Sequence, residues 1–160
     1  MPAAKHLVNL EELDLTQTLF SHADLYSMLK QSGRFALLDK VVHHRSGEDF
    51  SVASKAINPG DWWTEDHIPG RPLFPGVLMV EACAQLGTWD FFKRNPEHAD
   101  RFVGFVRIGS TRFRGMVEPP SELFIVAKVV RFRSLMFTYE CQGIVAGEVV
   151  FDTEISGMAM

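Results

Sequence analysis

The chain has 160 residues, 46% of them hydrophobic, and carries 20 acidic and 16 basic side chains for a formal charge of −4. That length fits one domain, read as residues 1–160 with 1–20 as an N-terminal extension, and it can bury a real core. The acidic balance argues against a nucleic-acid binder, and neither a bilayer-length apolar run nor a signal-peptide hydrophobic region is present, so no membrane insertion or export is expected.

In chain order, Leu10 to Leu19 reads as a short helix or an extension. Ser21 followed by Asp24 has the spacing of a capping box, opening a helix through Leu25, Met28 and Leu29 that ends near Gly33. Phe35 to His43 and Phe50 to Ile57 are strand candidates around the turn-like Ser46-Gly47-Glu48-Asp49. Asn58-Pro59-Gly60-Asp61 breaks the chain. A helix is predicted from Gly76 to Phe92, because Leu78, Ala82, Gln85 and Trp89 recur at helical spacing. Small residues at Ala82, Cys83, Ala84 and Gly87 leave room for a sheet against it. Strand-like runs follow at Phe102 to Ile108, Leu123 to Phe132, Phe137 to Val145 and Glu148 to Ile155, with a tight turn at Ala146-Gly147. One buried helix followed mainly by strands indicates an α+β fold, an antiparallel sheet around a helix. Cys83 and Cys141 have no metal-type spacing and read as buried free thiols in a reducing cytosol. No metal cluster, phosphate loop or nucleotide fingerprint is present.

Most of the functional information lies in residues 67 to 87, HIPGRPLFPGVLMVEACAQLG. Three prolines (Pro69, Pro72, Pro75) make a stiff approach to the helix start at Gly76. His67 stands before the prolines, and Glu81 is the only acid inside the apolar run. An imidazole on a stiff loop and a carboxyl on an apolar helix suit acid-base chemistry on an apolar substrate.

This stretch resembles the signature of the β-hydroxyacyl-acyl-carrier-protein dehydratases of fatty-acid synthesis, H-F-P-G-x-P-x-x-P-G-V-L-x-x-E-A-x-A-Q. Order and spacing agree from His67 to Gln85, with Ile68 where an aromatic is usual. Weaker likeness extends to Phe35–Val42, to Arg112-Phe113-Arg114, and to the hairpin around 143–150. The chain departs from the family at Gln31-Ser32-Gly33-Arg34, where Pro-His-Arg is usual, at Asp66, and at Pro119-Pro120-Ser121. The resemblance implies a hot-dog fold, a dimer in which His67 of one subunit faces Glu81 of the other, and assembly into either that dimer or a trimer of such dimers.

The implied reaction is loss of water from a 3-hydroxyacyl thioester. His67 suits the base for the C2 proton, since imidazole changes protonation near neutral pH. Glu81 suits the acid for the departing hydroxyl, with Gln85 one turn on to orient it. The N–H of Gly76, unpartnered at a helix start, can polarise the thioester carbonyl. Trp62, Trp63 and Phe74 flank the signature; Trp63, Phe74 and Val77 are candidate acyl contacts, with core packing as the competing role for the aromatics. No cofactor is expected beyond the phosphopantetheine arm that carries the substrate. Lys93 to Arg133 holds nine basic and four acidic residues, a local net of +5 that leaves −9 elsewhere. That patch, with Arg112 and Arg114 foremost, suits an acidic acyl-carrier protein, or else is a solvated strand face. The alternatives are a hot-dog thioesterase, a hydratase acting on coenzyme A, and a non-catalytic acyl or carrier-binding subunit.

Overall fold

A computed structural model describes residues 2–160. Seven antiparallel strands form one sheet: β1 (Phe20–Ser21), β2 (Lys40–His44), β3 (Phe50–Ile57), β4 (Val103–Phe113), β5 (Ser121–Arg133), β6 (Met136–Val145) and β7 (Glu148–Ala159). Their spatial order is β1-β2-β3-β5-β6-β7-β4, so β4 is an edge. Three helices accompany the sheet: α1 (His22–Met28), the single turn α2 (Trp63–Asp66), and α3 (Gly76–Arg94).

Helix α3 is the axis of the core. Its 19 residues extend about 28 Å at the usual helical rise. Leu78, Met79, Ala82, Cys83, Leu86, Trp89, Phe91 and Phe92 are buried along it and join one apolar cluster with Leu123, Ile125, Tyr139, Cys141, Phe151 and Ile155 of the sheet. Gly87 permits the close approach: a β-carbon there would stand 3.3 Å from both Tyr139 and Ile155. The sheet wraps around this helix as the hot-dog fold requires, in agreement with the α+β expectation.

Local chemistry explains where the elements begin and end. The capping box is present: Asp24 N–H donates to Ser21 Oγ at 3.2 Å and Ser21 N–H donates to Asp24 Oδ2 at 2.8 Å. Helix α1 nevertheless stops at Met28 rather than near Gly33. The strand expected from Phe35 begins only at Lys40. Gly33 to Phe35 form a 3₁₀ turn, with Gly33 at φ +57°. The N–H groups of Leu37 and Leu38 then bond to the Gln85 and Tyr26 side chains, which removes them from any ladder. β4 runs past Ile108 to Phe113, because register shifts between Phe105 and Arg107 and between Ile108 and Thr111 absorb the Gly109-Ser110 step. Ala146 (φ 49°) and Gly147 (φ 79°) close the last hairpin, both in the left-handed region that a two-residue turn needs.

The N-terminal stretch is an arm, helical only in one 3₁₀ turn at Leu10–Glu12. Leu7, Val8, Leu10, Leu13 and Leu15 cover a second apolar cluster made by Val42, Val52, Val126 and Ile144 on the sheet. Asp14 Oδ1 accepts from both the N–H and the hydroxyl of Thr16, a local bond that competes with helix. No helix among the described residues is long and apolar enough to cross a membrane.

Candidate active site

His67 closes α2, its N–H bonding to Trp63 O at 2.9 Å. The proline-rich loop after it is pinned where Phe74 N–H meets Val117 O at 2.8 Å. The His67 ring places Nδ1 2.9 Å from Leu73 O. A carbonyl can only accept, so Nδ1 carries the hydrogen, and it is Nε2 that keeps the lone pair in the neutral ring. The ring lines a mostly apolar cavity of about 390 Å³ with Phe74, Gly76, Val77, Phe113 and Met116. Gly76 opens α3 there behind Pro75, and no side chain caps the helix start. The first N–H groups of a helix lack intrahelical partners and sit at the positive end of its dipole. A β-carbon at Gly76 would lie 2.5 Å from the Phe113 ring. Only glycine leaves this approach open.

Glu81 lies elsewhere. It lines a second cavity of about 250 Å³ with Gln31, Ala84, Thr88 and residues 102–105. Glu81 Oε1 accepts from Gln85 Nε2 at 2.7 Å, and Gln31 Nε2 stands at 3.5 Å. Gln85 is itself immobilised. Its Nε2 also donates to Phe35 O at 2.8 Å, while its Oε1 accepts from Leu37 N–H at 3.2 Å and from the Tyr26 hydroxyl at 2.6 Å. Burial pushes the Tyr26 hydroxyl above its ordinary range, so it stays protonated and donates. Phe35 O and Leu37 N–H fix which end of the Gln85 amide faces which way. Its remaining hydrogen must therefore point at Glu81 Oε1.

The other residues singled out in the sequence are more scattered. Phe74 is buried yet reaches the His67 cavity, and Trp63 packs edge-on behind it with ring centres 5.3 Å apart. Trp62 is partly exposed and does not line that cavity. Val77 is 73% exposed at the cavity rim. Arg112 and Arg114 share a groove with Lys5, Asp152 and Glu154, beside the N-terminal arm. Arg114 is ion-paired with Asp152, so Arg112 is the freer charge.

Sequence reasoning missed two clusters. Gln31 and Tyr26 join Glu81 and Gln85 across long sequence separations, and only the departure at Gln31-Ser32-Gly33-Arg34 marked that neighbourhood. The second cluster surrounds Asp90, which is fully buried. Its carboxylate accepts from Tyr139 Oη at 2.6 Å, from Arg94 Nε at 2.7 Å and from Ser51 Oγ, with His44 Nδ1 at 3.2 Å. Burial opposes the charge, but these donors outweigh it and hold the Asp90 carboxyl below the usual range. Tyr139 is driven well above its own range, by burial first and by Asp90 second. The signal was available: an acid near a helix C-terminus opposes the dipole and needs compensation. Buried to this depth, the cluster ties α3 to β2, β3 and β6 and offers no site. Cys83 and Cys141 are both buried free thiols, and burial together with the neighbouring Cys83 raises Cys141.

The FabA-like domain family matches residues 29–154. A 3-hydroxyacyl-[acyl-carrier-protein] dehydratase FabZ from Albidiferax ferrireducens is 30% identical over 139 residues, covering 83% of this chain and 91% of the relative. Among solved structures, a chain of the dehydratase heterocomplex ApeI:P from Xenorhabdus doucetiae superposes with TM-score 0.71 at 15% identity, over 85% of this chain and 90% of that one. A mutant thioesterase from Pseudomonas aeruginosa superposes with TM-score 0.67 at 13% identity, over 92% and 99%. The two structural likenesses establish the hot-dog fold, which serves both reactions. The sequence match decides the family: the chain belongs to the FabA-like family, beside the 3-hydroxyacyl-[acyl-carrier-protein] dehydratases.

Proposed function

We propose that the protein removes water from 3-hydroxyacyl groups on acyl-carrier protein, giving the trans-2-enoyl thioester in fatty-acid or related acyl-chain biosynthesis. One observation carries the reading: a histidine whose Nδ1–H is held by Leu73 O lines an apolar cavity at the uncapped start of a long helix. His67 Nε2 takes the C2 proton. The Gly76 N–H stabilises the charge that builds on the thioester oxygen. Glu81 gives its proton to the C3 hydroxyl, the C3–O bond breaks, and C2=C3 forms. Every step is a proton transfer, so no cofactor is required beyond the arm that carries the acyl group. Phe74 and Val77 contact the acyl chain, with Trp63 supporting Phe74 from behind.

In this reading the acid comes from a second copy. β4 pairs with β7 on one side only and leaves Phe105, Val106, Ile108 and Phe113 about half exposed. Such an edge invites pairing, and an isologous dimer pairs it with itself, antiparallel. The Glu81 cavity adjoins the start of β4, at residues 102–105, and the His67 cavity adjoins its end, at residues 113–117. Antiparallel pairing brings each start beside the partner's end, so two composite sites form per dimer. The carrier docks through the basic stretch, with Arg112 the principal charge and Arg114 moderated by Asp152. A cytosolic setting agrees with two buried free thiols.

The test follows water addition to crotonyl through long-chain enoyl thioesters, presented on acyl-carrier protein and on coenzyme A. Turnover is expected on the carrier-bound series and is lost in His67→Ala. Retention of more than about a tenth of the wild-type rate would remove His67 as the base. Release of free thiol in place of hydration would instead establish the thioesterase alternative.

A further inference from the structure

Of the two polar side chains of the acid cavity that the mechanism leaves unused, Gln31 and Thr88, Gln31 is the one that reaches Glu81. Its Nε2 only just reaches Glu81 Oε1, at 3.5 Å, and its Oε1 is buried without any hydrogen-bond partner. A buried acceptor left unpaired bears the whole desolvation of that atom. The position also lies in the segment where the sequence departs from the Pro-His-Arg usual in the family pattern, so the signature does not account for it.

We propose that Gln31 contacts the substrate, accepting the hydrogen of the C3 hydroxyl while Glu81 protonates its oxygen. This rests on the dehydratase reading of the site. The clamp on Glu81 leads to it. Gln85 holds Oε1 as an acceptor, so the transferable proton resides on Oε2, the oxygen no protein group engages. A leaving hydroxyl must then sit beside Oε2, next to the Gln31 amide on the wall of the same cavity. The terminal torsion of glutamine is broad and roughly two-fold. Turning it gives up only the long contact to Glu81 and carries the orphaned carbonyl toward the ligand. The hydroxyl hydrogen bonds to Gln31 Oε1, which aims an oxygen lone pair at Glu81. On reaction the C2–H electrons form the second C2–C3 bond and the proton passes to His67 Nε2. The C3–O pair leaves with oxygen, which keeps its own hydrogen and gains the one from Glu81. Water departs, and Gln31 is unchanged.

The test compares a 3-hydroxyacyl thioester with the saturated acyl thioester of equal length, which lacks the hydroxyl and cannot react. For Gln31→Met, which keeps length without hydrogen bonding, kcat/KM on the hydroxyacyl substrate should fall on the order of tenfold or more, one lost hydrogen bond to the reacting group. Inhibition by the saturated analogue should stay within about twofold, because no group it touches has changed. Gln31→Asn, which keeps the amide but withdraws it by a methylene, should show the same split, and it serves if the Met variant is thermally destabilised. Normal turnover in both variants, or equal losses for substrate and analogue in stably folded protein, would overturn the assignment. If the wild type itself dehydrates nothing, the dehydratase reading falls together with this one; an active wild type with indifferent Gln31 variants removes only this one.

Discussion

Mixing two dead variants tests the composite site directly. Under the proposed mechanism His67→Ala lacks the base and Glu81→Gln lacks the acid, so each homodimer should be inactive at both sites. When subunits exchange at equal amounts, half of the dimers are hybrids. If β4 edges pair as argued, a hybrid combines both lesions at one site and leaves wild-type His67 facing wild-type Glu81 at the other. Recovery should therefore reach about a quarter of wild-type activity, half of the dimers each with one of two sites intact. The assay follows hydration of an enoyl thioester by the loss of its conjugated ultraviolet absorbance, after exchange verified by mass-tagged subunits. Zero recovery with hybrids demonstrably present would mean that both residues act within one chain, and the edge-pairing geometry would have to be abandoned.

Three other outcomes follow from the geometry. Asp90→Asn should destabilise the fold by about 3 kcal/mol or more, as removing one member of a buried ion pair does, lowering the thermal midpoint by roughly 10 °C. Because the folded Asp90 carboxyl is held low, its contribution is complete above the unfolded value and is lost as pH falls through the folded one; the wild-type acid limb of thermal stability should be steeper than that of Asp90→Asn, and parallel limbs would refute the assignment. Gly76→Ala should keep its fold by displacing the Phe113 ring, yet lose on the order of a hundredfold in kcat as the thioester oxygen loses access to the helix N–H; near-normal kcat would show that this N–H takes no part. Arg112→Glu should weaken kcat/KM on carrier-bound substrate, less so at high salt, with little change on a small thioester; Arg114→Glu is the poorer probe, since it also breaks the pair with Asp152.

The signature from His67 to Gln85 was legible because stiff prolines, a helix-start glycine and one acid in an apolar run each impose a local constraint. Helix α3 and the strands from Phe50 to Ile57 and after Leu123 were legible for the same reason, through periodicity. The remainder depended on contacts between distant segments. Tyr26 meets Gln85 across 59 positions and Gln31 meets Glu81 across 50, and no local pattern announces either bond. The shortened β2 has the same origin, since its missing ladder partners are side chains of α1 and α3. The bulges of β4 hid its length, because Gly109-Ser110 reads as an ending when pairing is unknown. The arm at residues 2–19 is ordered by the apolar sheet face it covers, and that face exists only after β2, β3, β5 and β6 assemble.

Helix geometry explains why His67 and Glu81 line separate cavities. From Gly76 to Glu81 the helix advances about 7.5 Å and turns a net of about 140°. The Glu81 side chain thus leaves the helix on a face nearly opposite that of residue 76 and more than one turn beyond the N–H groups, which point along the axis out of the helix start. Gln85, a further four residues on, returns to within about 40° of Glu81, which is why it can grip that carboxyl. The loop holding His67 joins the helix start, so His67 travels with Gly76 and Glu81 with Gln85. In the proposed dimer, a second copy related by a two-fold axis across β4 would bring the two cavities together. Under the proposed mechanism, the spacing that sets Glu81 apart from Gly76 in one protomer is what makes a second protomer necessary.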